Sequence, residues 1–169
     1  MSTAKTSTMP GNNQHTTVDK PPVIKPVKVI LNEQNDLIKT FNNRVRQTFI
    51  HVEQLSKNDK TITSLKNKAF SAIKYNDMIV IKSLGPILYN YHERIFKRDA
   101  EFFLDQSFAE FKGFDDLIKQ MKALWKHCSE AEQAMLFDNV YAMTELYIKY
   151  RDLELALKLA KSSSSSLFR

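Results

Sequence analysis

The side chains able to do chemistry in this chain are few, and their spacing does not bring them together. The four histidines, His15, His51, His92 and His127, never recur at i+3 or i+4, the spacing that would put two imidazoles on one helical face around a metal. His92-Glu93 and His51-x-Glu53 set an imidazole one or two residues from a carboxylate, but such neighbours point to different faces of a helix. Cys128 is the single cysteine; beside His127 it makes no metal site, and alone it makes no intramolecular disulfide, which points to a reducing compartment. Asp115-Asp116 has the composition of paired carboxylates, yet acids at the start of a helix more often complement its dipole. With glycine only at 11, 85 and 113, no loop can bring several backbone N–H groups to a phosphate, and a hydrolase elbow is excluded with it. The expectation is a protein that is not an enzyme, with no cofactor, no metal and no small-molecule substrate.

Charge and aromatic surface are the remaining resources. The net charge of +6 is uneven: residues 56–75 carry five lysines against Asp59, whereas residues 129–161 carry six acids against four bases. Lys57, Lys60, Lys66, Lys68 and Lys74 are candidate phosphate contacts, for weak, salt-sensitive and sequence-independent binding to a nucleic-acid backbone. The segment lacks the arginines that read base edges, and Tyr75 is its only near partner for stacking. Phe96, Phe102, Phe103, Phe108, Phe111, Phe114 and Trp125 form an aromatic middle; Phe102 and Phe103 are candidate members of a protein-binding patch.

The elements that must carry these groups read as helices. Proline is concentrated at 10, 21, 22 and 26, with Pro86 alone further on, so the chain has few breakers and long elements. Residues 1–28, rich in Thr, Ser, Asn, Pro and Lys, read as a basic arm, disordered or extended. Residues 29–161 read as one helical domain and 162–169 as a Ser-rich tail. The apolar stripe Leu37, Ile38, Phe41, Val45, Phe49, Val52 predicts a first helix from about Asn32 to Leu55. Asn58 or Asp59 caps a second, ending near Tyr75, with Ile62, Leu65, Ala69 and Ile73 inward and Lys60, Lys68 and Lys74 opposite. A third, Met78–Leu84, is predicted to break at Gly85-Pro86, and a fourth to run from Pro86 to about Arg98. A short aromatic helix or turn follows Asp99, and another helix runs from Asp115 to about His127. The predicted core includes Leu37, Phe41, Phe49, Ile62, Leu65, Ile73, Leu117, Leu124, Trp125 and Leu146.

The last element is the longest. Ser129 and Glu132 have capping-box spacing, and neither Gly nor Pro interrupts the chain to Lys161, a helix on the order of 50 Å. Leu136, Asn139, Met143, Leu146, Tyr150, Leu153, Leu157 and Ala160 fall at alternating threes and fours, an a/d seam. Phe137, Val140, Tyr141, Thr144 and Ile148 make its first half apolar on a second side. No later element is left to cover Leu153, Leu157 and Ala160, so either the earlier helices fold back over this end or another chain does, and in the second case these three are candidate partner-binding residues. The predicted fold is all-α, an irregular bundle of five to six helices with a long C-terminal helix and an N-terminal arm. The longest apolar run is four residues, far below the ~20 that span a bilayer, and the N-terminus lacks a signal-peptide core, so an intracellular protein is expected.

Leu84-Gly85-Pro86 through Tyr91, then Arg98-Asp99-Ala100-Glu101-Phe102-Phe103-Leu104, Phe114 to Trp125, the Ser129-x-x-Glu132 cap and the long helix through Tyr150 stand in an order that resembles small helical proteins of large nucleocytoplasmic DNA viruses. The likeness covers residues 76–152; where many of those proteins have a second Trp early in the last helix, this chain has Leu136 and Phe137. The resemblance implies a viral, all-helical protein in the virion or the cytoplasm of an infected cell, and it transfers no functional residue. Two functions are expected from the whole sequence. The favoured one is a non-enzymatic interaction or structural protein, a minor particle component assembling by self-association or with protein partners through its arm and long helix. The alternative is a nucleic-acid-associated protein.

Overall fold

A computed structural model describes residues 25–106, 108 and 115–166, with side chains given outside 115–117 and 163–166. The expectations for the arm before residue 25, for Phe111, Phe114 and Leu117, and for the tip after 166 lie outside what is described. Among the described residues there are seven helices and no strand: α1 Val27–Leu55, α2 Lys60–Tyr75, α3 Met78–Asn90, α4 His92–Phe96, α5 Ala100–Asp105, α6 Asp115–His127 and α7 Glu130–Ser166.

Side-chain caps mark three of the helix starts. The Asp59 carboxylate accepts from the backbone N–H groups of Thr61 (2.9 Å) and Ile62 (3.2 Å), and Asp99 accepts from Phe102 N–H at 3.0 Å. At α7 the capping box is closed in both directions: Glu132 Oε2 receives the Ser129 N–H at 2.7 Å, and the Ser129 hydroxyl receives the Glu132 N–H at 3.4 Å. The α1–α2 turn places Lys57 and Asn58 in the left-handed region, with φ of 52° and 60°.

Three boundaries differ from the sequence reading. α1 begins at Val27, inside the expected arm and a full turn before Asn32, with Pro26 at its N-cap, where the proline carbonyl accepts from Val29 and Ile30 N–H. The Pro-, Ser- and Lys-rich composition up to residue 28 suggested disordered or extended chain, but Ile30 is buried and the helix already includes Val27. α7 continues through Ser162–Ser166 instead of ending before them. Most telling, Gly85-Pro86 does not break α3: the helix runs on to Asn90, and the chain turns at Tyr91.

Gly85 serves packing, not turning. A Cβ built on it would lie 2.1 to 2.7 Å from three ring atoms of Tyr147, so α3 approaches α7 at a notch that only hydrogen fits. Pro86 faces solvent one residue on, where its missing N–H leaves only the Lys82 carbonyl without its helical partner.

The bundle is built around α7. α1 packs along it and α3 and α4 cover a second side, while α2 packs on α1 and α3. α1 and α7 are antiparallel: Val52 near the end of α1 clusters with Leu136 near the start of α7, whereas Ile38 and Phe41 share the main core with Met143, Tyr147 and Tyr150. All eight seam residues are buried or half-buried. The second apolar side is also covered: Thr144 is fully buried and returns its hydroxyl to the Val140 carbonyl at 2.8 Å. Of the predicted core, Phe41, Ile62 and Ile73 are buried; Leu37, Phe49, Leu65, Leu124, Trp125 and Leu146 are half-buried.

Gly85→Ala measures the notch. Replacing helical Gly by Ala gains about 1 kcal/mol of helix propensity, and overpacking of this kind costs about 1–3 kcal/mol. Because the ring's own Cγ is one of the obstructing atoms, the clash should win. The urea midpoint of Gly85→Ala should fall; a midpoint at or above wild type would mean that α3 and α7 stand further apart.

Candidate functional site: an apolar cleft, a lysine face and the end of the long helix

The aromatic middle folds into a cluster with a cleft beside it. Tyr91, where the chain turns after α3, has Phe102, Phe103 and Phe108 around it at 5.9, 6.2 and 5.7 Å between ring centroids. Arg94 stands over Phe102 at 4.8 Å and pairs with Asp99 at 2.7 Å, so the first rings of α5 are clamped from outside by a cation. Phe102 and Phe103 are consequently half-buried members of the fold, not an open patch.

Phe103 also walls an apolar cleft of about 300 Å³ between α1, α5, α6 and α7. Among the described residues Thr48 and Val52 line it from α1, Ala100, Phe103 and Leu104 from α5, Met121 and Trp125 from α6, and Leu136, Phe137 and Val140 from α7, with Phe108 between α5 and α6. Trp125 and Phe137 meet edge to face at 5.2 Å, and Gln133 ties α7 to α6 by donating to the Trp125 carbonyl at 3.0 Å. Lys122 is the one charged residue of the lining; its Nζ donates to the Gln106 carbonyl at 2.7 Å and lies 5.8 Å from the Phe108 ring centroid. The sequence reading treated these aromatics as core or convex patch and missed the cleft, because concavity comes from how α5 and α6 meet α7.

The lysines divide. Lys60, Lys68 and Lys74 are exposed on one face of α2, with Ser64, Asn67 and Ser71 between them and Tyr75, 87% exposed, at its end. α2 contains no acidic residue. Lys57 is exposed in the preceding turn, where its left-handed backbone makes it part of the loop. Lys66 does not belong to this face. It is half-buried and pairs with Glu53 of α1 at 2.5 Å, while Thr63 donates to the same carboxylate at 2.8 Å. That bridge docks α2 on α1, and it removes Lys66 from the candidate phosphate contacts.

At the other end, the expected open stripe is closed. Leu153 and Leu157 are half-buried and Ala160 is only 4% exposed. α1 runs antiparallel to α7 and starts a turn earlier than expected, which brings its first turn toward the C-terminal part of α7, and Ile30 on that turn is buried. The exposed leucines are instead Leu155 and Leu159, 60% each. Tyr89 of α3 reaches this level, with the Arg151 guanidinium over its ring at 3.8 Å.

Among the described residues no three His, Cys, Asp or Glu side chains come together as a metal site, and no helix is long and apolar enough to cross a membrane. Burial, and then the nearby Glu132, push the Cys128 thiol up from its ordinary value, the opposite of an activated nucleophile. His92 stacks on Tyr89 at 5.0 Å and meets Phe96 edge to face, a structural role. No family model matches the chain, and no curated protein or solved structure matches it. The likeness of residues 76–152 to viral helical proteins therefore rests on motif order alone.

The Lys66 bridge, and then the Thr63 hydroxyl, hold the Glu53 carboxyl below its ordinary value of 4.5. Folded Glu53 is thus a stronger acid than unfolded Glu53. Its stabilisation is complete above pH 4.5 and is lost as pH falls through the lowered folded value. The difference in urea midpoint between wild type and Glu53→Gln should be full near about pH 6 and should close on acidification below 4.5. A difference independent of pH over that range would show that the bridge is not the source.

Proposed function

We propose that the protein is a non-enzymatic interaction or structural protein that assembles with a second copy of itself through the far end of the α1/α7 pair. The observation that carries this reading is the exposure of Leu155 and Leu159, one turn apart on a helix whose seam is already covered. α3 ends at Asn90, and α4 returns toward Tyr141, which Phe96 meets at 4.7 Å. Past Arg151, α1 is the helix that accompanies α7, and it adds Val29 and Leu31, each 42% exposed, on either side of buried Ile30. An antiparallel helix pair with apolar residues on its outer flanks is half of a four-helix bundle. Two copies about a two-fold axis would bury the same leucines on both. The basic, proline-rich arm joins the fold at this end, since α1 starts at Val27, and would lie along the neighbour. The viral resemblance supplies a setting for such assembly, as a minor component of a particle.

Light scattering across concentration tests the reading. The wild-type mass should rise from 19.6 kDa toward twice that value, and Leu155→Glu with Leu159→Glu should hold it at 19.6 kDa with helicity unchanged. A wild-type chain that stays monomeric at every concentration would overturn it.

A second reading, binding to a nucleic-acid backbone, is favoured by one observation: the acid-free outer face of α2 with Tyr75 exposed at its end. Three lysine–phosphate contacts on a single strand would weaken affinity on the order of tenfold between about 50 and 200 mM salt. Changing Lys60, Lys68 and Lys74 together to Gln should flatten that dependence. Equal binding by the triple variant would remove the face from consideration.

A further inference from the structure

We infer that the cleft beside Trp125 is a binding site for a single-chain anionic amphiphile, a free fatty-acid-like carboxylate with its tail inside and its head at Lys122. Two features of the site point to that chemistry. Among the described residues the wall is made of aliphatic and aromatic groups from four helices, with Thr48 the one uncharged polar aliphatic side chain, so a ligand's buried part must be apolar. A space of 300 Å³, at about 30 Å³ for each water-sized group, holds on the order of ten carbons. The second feature is the cation. Lys122 Nζ is a three-fold donor held in place by one bond to a neutral acceptor, the Gln106 carbonyl, and by the face of Phe108. No carboxylate pairs with it among the described residues. A half-buried ammonium with donors to spare beside an otherwise apolar cleft complements an anionic head on an apolar tail, and repels a cationic one.

The site carries its own reporter, because Trp125 is the only tryptophan of the chain and lines the cleft. Tryptophan emission should be followed while the full-length protein is titrated with decanoate, octanoate, 1-decanol and decyltrimethylammonium, each below its micelle concentration. Decanoate should give a saturable change. Octanoate, two methylenes shorter, should bind roughly tenfold more weakly. Decyltrimethylammonium should bind at least tenfold more weakly than decanoate. Lys122→Gln should reduce decanoate to the level of 1-decanol and leave 1-decanol unchanged. Val140→Phe, which fills the cleft with a larger apolar side chain, should abolish the decanoate response while the far-ultraviolet spectrum stays helical.

The inference is overturned if decanoate gives no saturable change, if the three head groups bind alike, or if octanoate equals decanoate. Decanoate binding that survives in a folded Val140→Phe would place the ligand elsewhere and overturn it too. Phosphatidylglycerol vesicles that elicit the same change while free decanoate does not would identify a bilayer surface as the partner, and would likewise end the proposal. None of these outcomes depends on whether two copies of the chain pair through Leu155.

Discussion

The antiparallel contact of α1 with α7 is what the other elements depend on. α7 is 37 residues long and has an apolar seam on one side from Leu136 to Ala160, with a second apolar side over its first half. A helix of that kind has no stable surface in water until partners cover it, and helical stability comes chiefly from such burial. α1, 29 residues long, covers the seam, and only then do α3 and α4 have a wall to lie on. Within the contact sits a polar pair. Asn139 is buried at a seam position and accepts from Arg44 Nη1 at 3.1 Å. An uncompensated amide there would cost about 1–3 kcal/mol, so sliding α1 along α7 is penalised and one register is favoured.

A second constraint is how closely α3 must lie. The Gly85 notch admits the Tyr147 ring, and Tyr89 continues the approach, edge to face with Tyr147 and under the Arg151 guanidinium. That contact fixes where α3 ends along α7. It leaves the last stretch of α7 with α1 beside it and Leu155 and Leu159 outward. The same geometry turns the chain at Tyr91 into the aromatic cluster, whose rings close one end of the cleft. One small residue therefore bears on both surfaces to which a binding role is assigned.

Charge acts locally here. The Glu53–Lys66 bridge, half-buried between α1 and α2, consumes one lysine of a basic segment and leaves the rest facing water. Lys122 is held at the cleft by a carbonyl and a ring rather than by a carboxylate. In both cases the number of lysines in the segment says less about binding than the partner each side chain finds.

The sequence by itself determined the all-α class, the capping box at Ser129, a cap at Asn58 or Asp59, and the seam of α7, because these follow from spacings of three and four residues and from hydrogen bonds within one turn. It also foretold the second apolar side of α7 and placed Lys60, Lys68 and Lys74 on one outer face. Tertiary structure decided the rest. Gly85-Pro86 reads as a break in any local account, since only a ring from another helix can make glycine necessary inside one. The start of α1 at Val27 depends on Ile30 meeting a helix more than a hundred residues away in the chain. Leu153, Leu157 and Ala160 were legible as an apolar stripe, but whether a stripe is an open joint or an internal seam depends on which helix reaches it. Lys66 and Lys68 are two residues apart in one basic run; the position of Glu53 on α1 is what makes one a bridge and leaves the other exposed. The cleft had no sequence signal at all, for its walls come from four helices and its shape exists only in their packing.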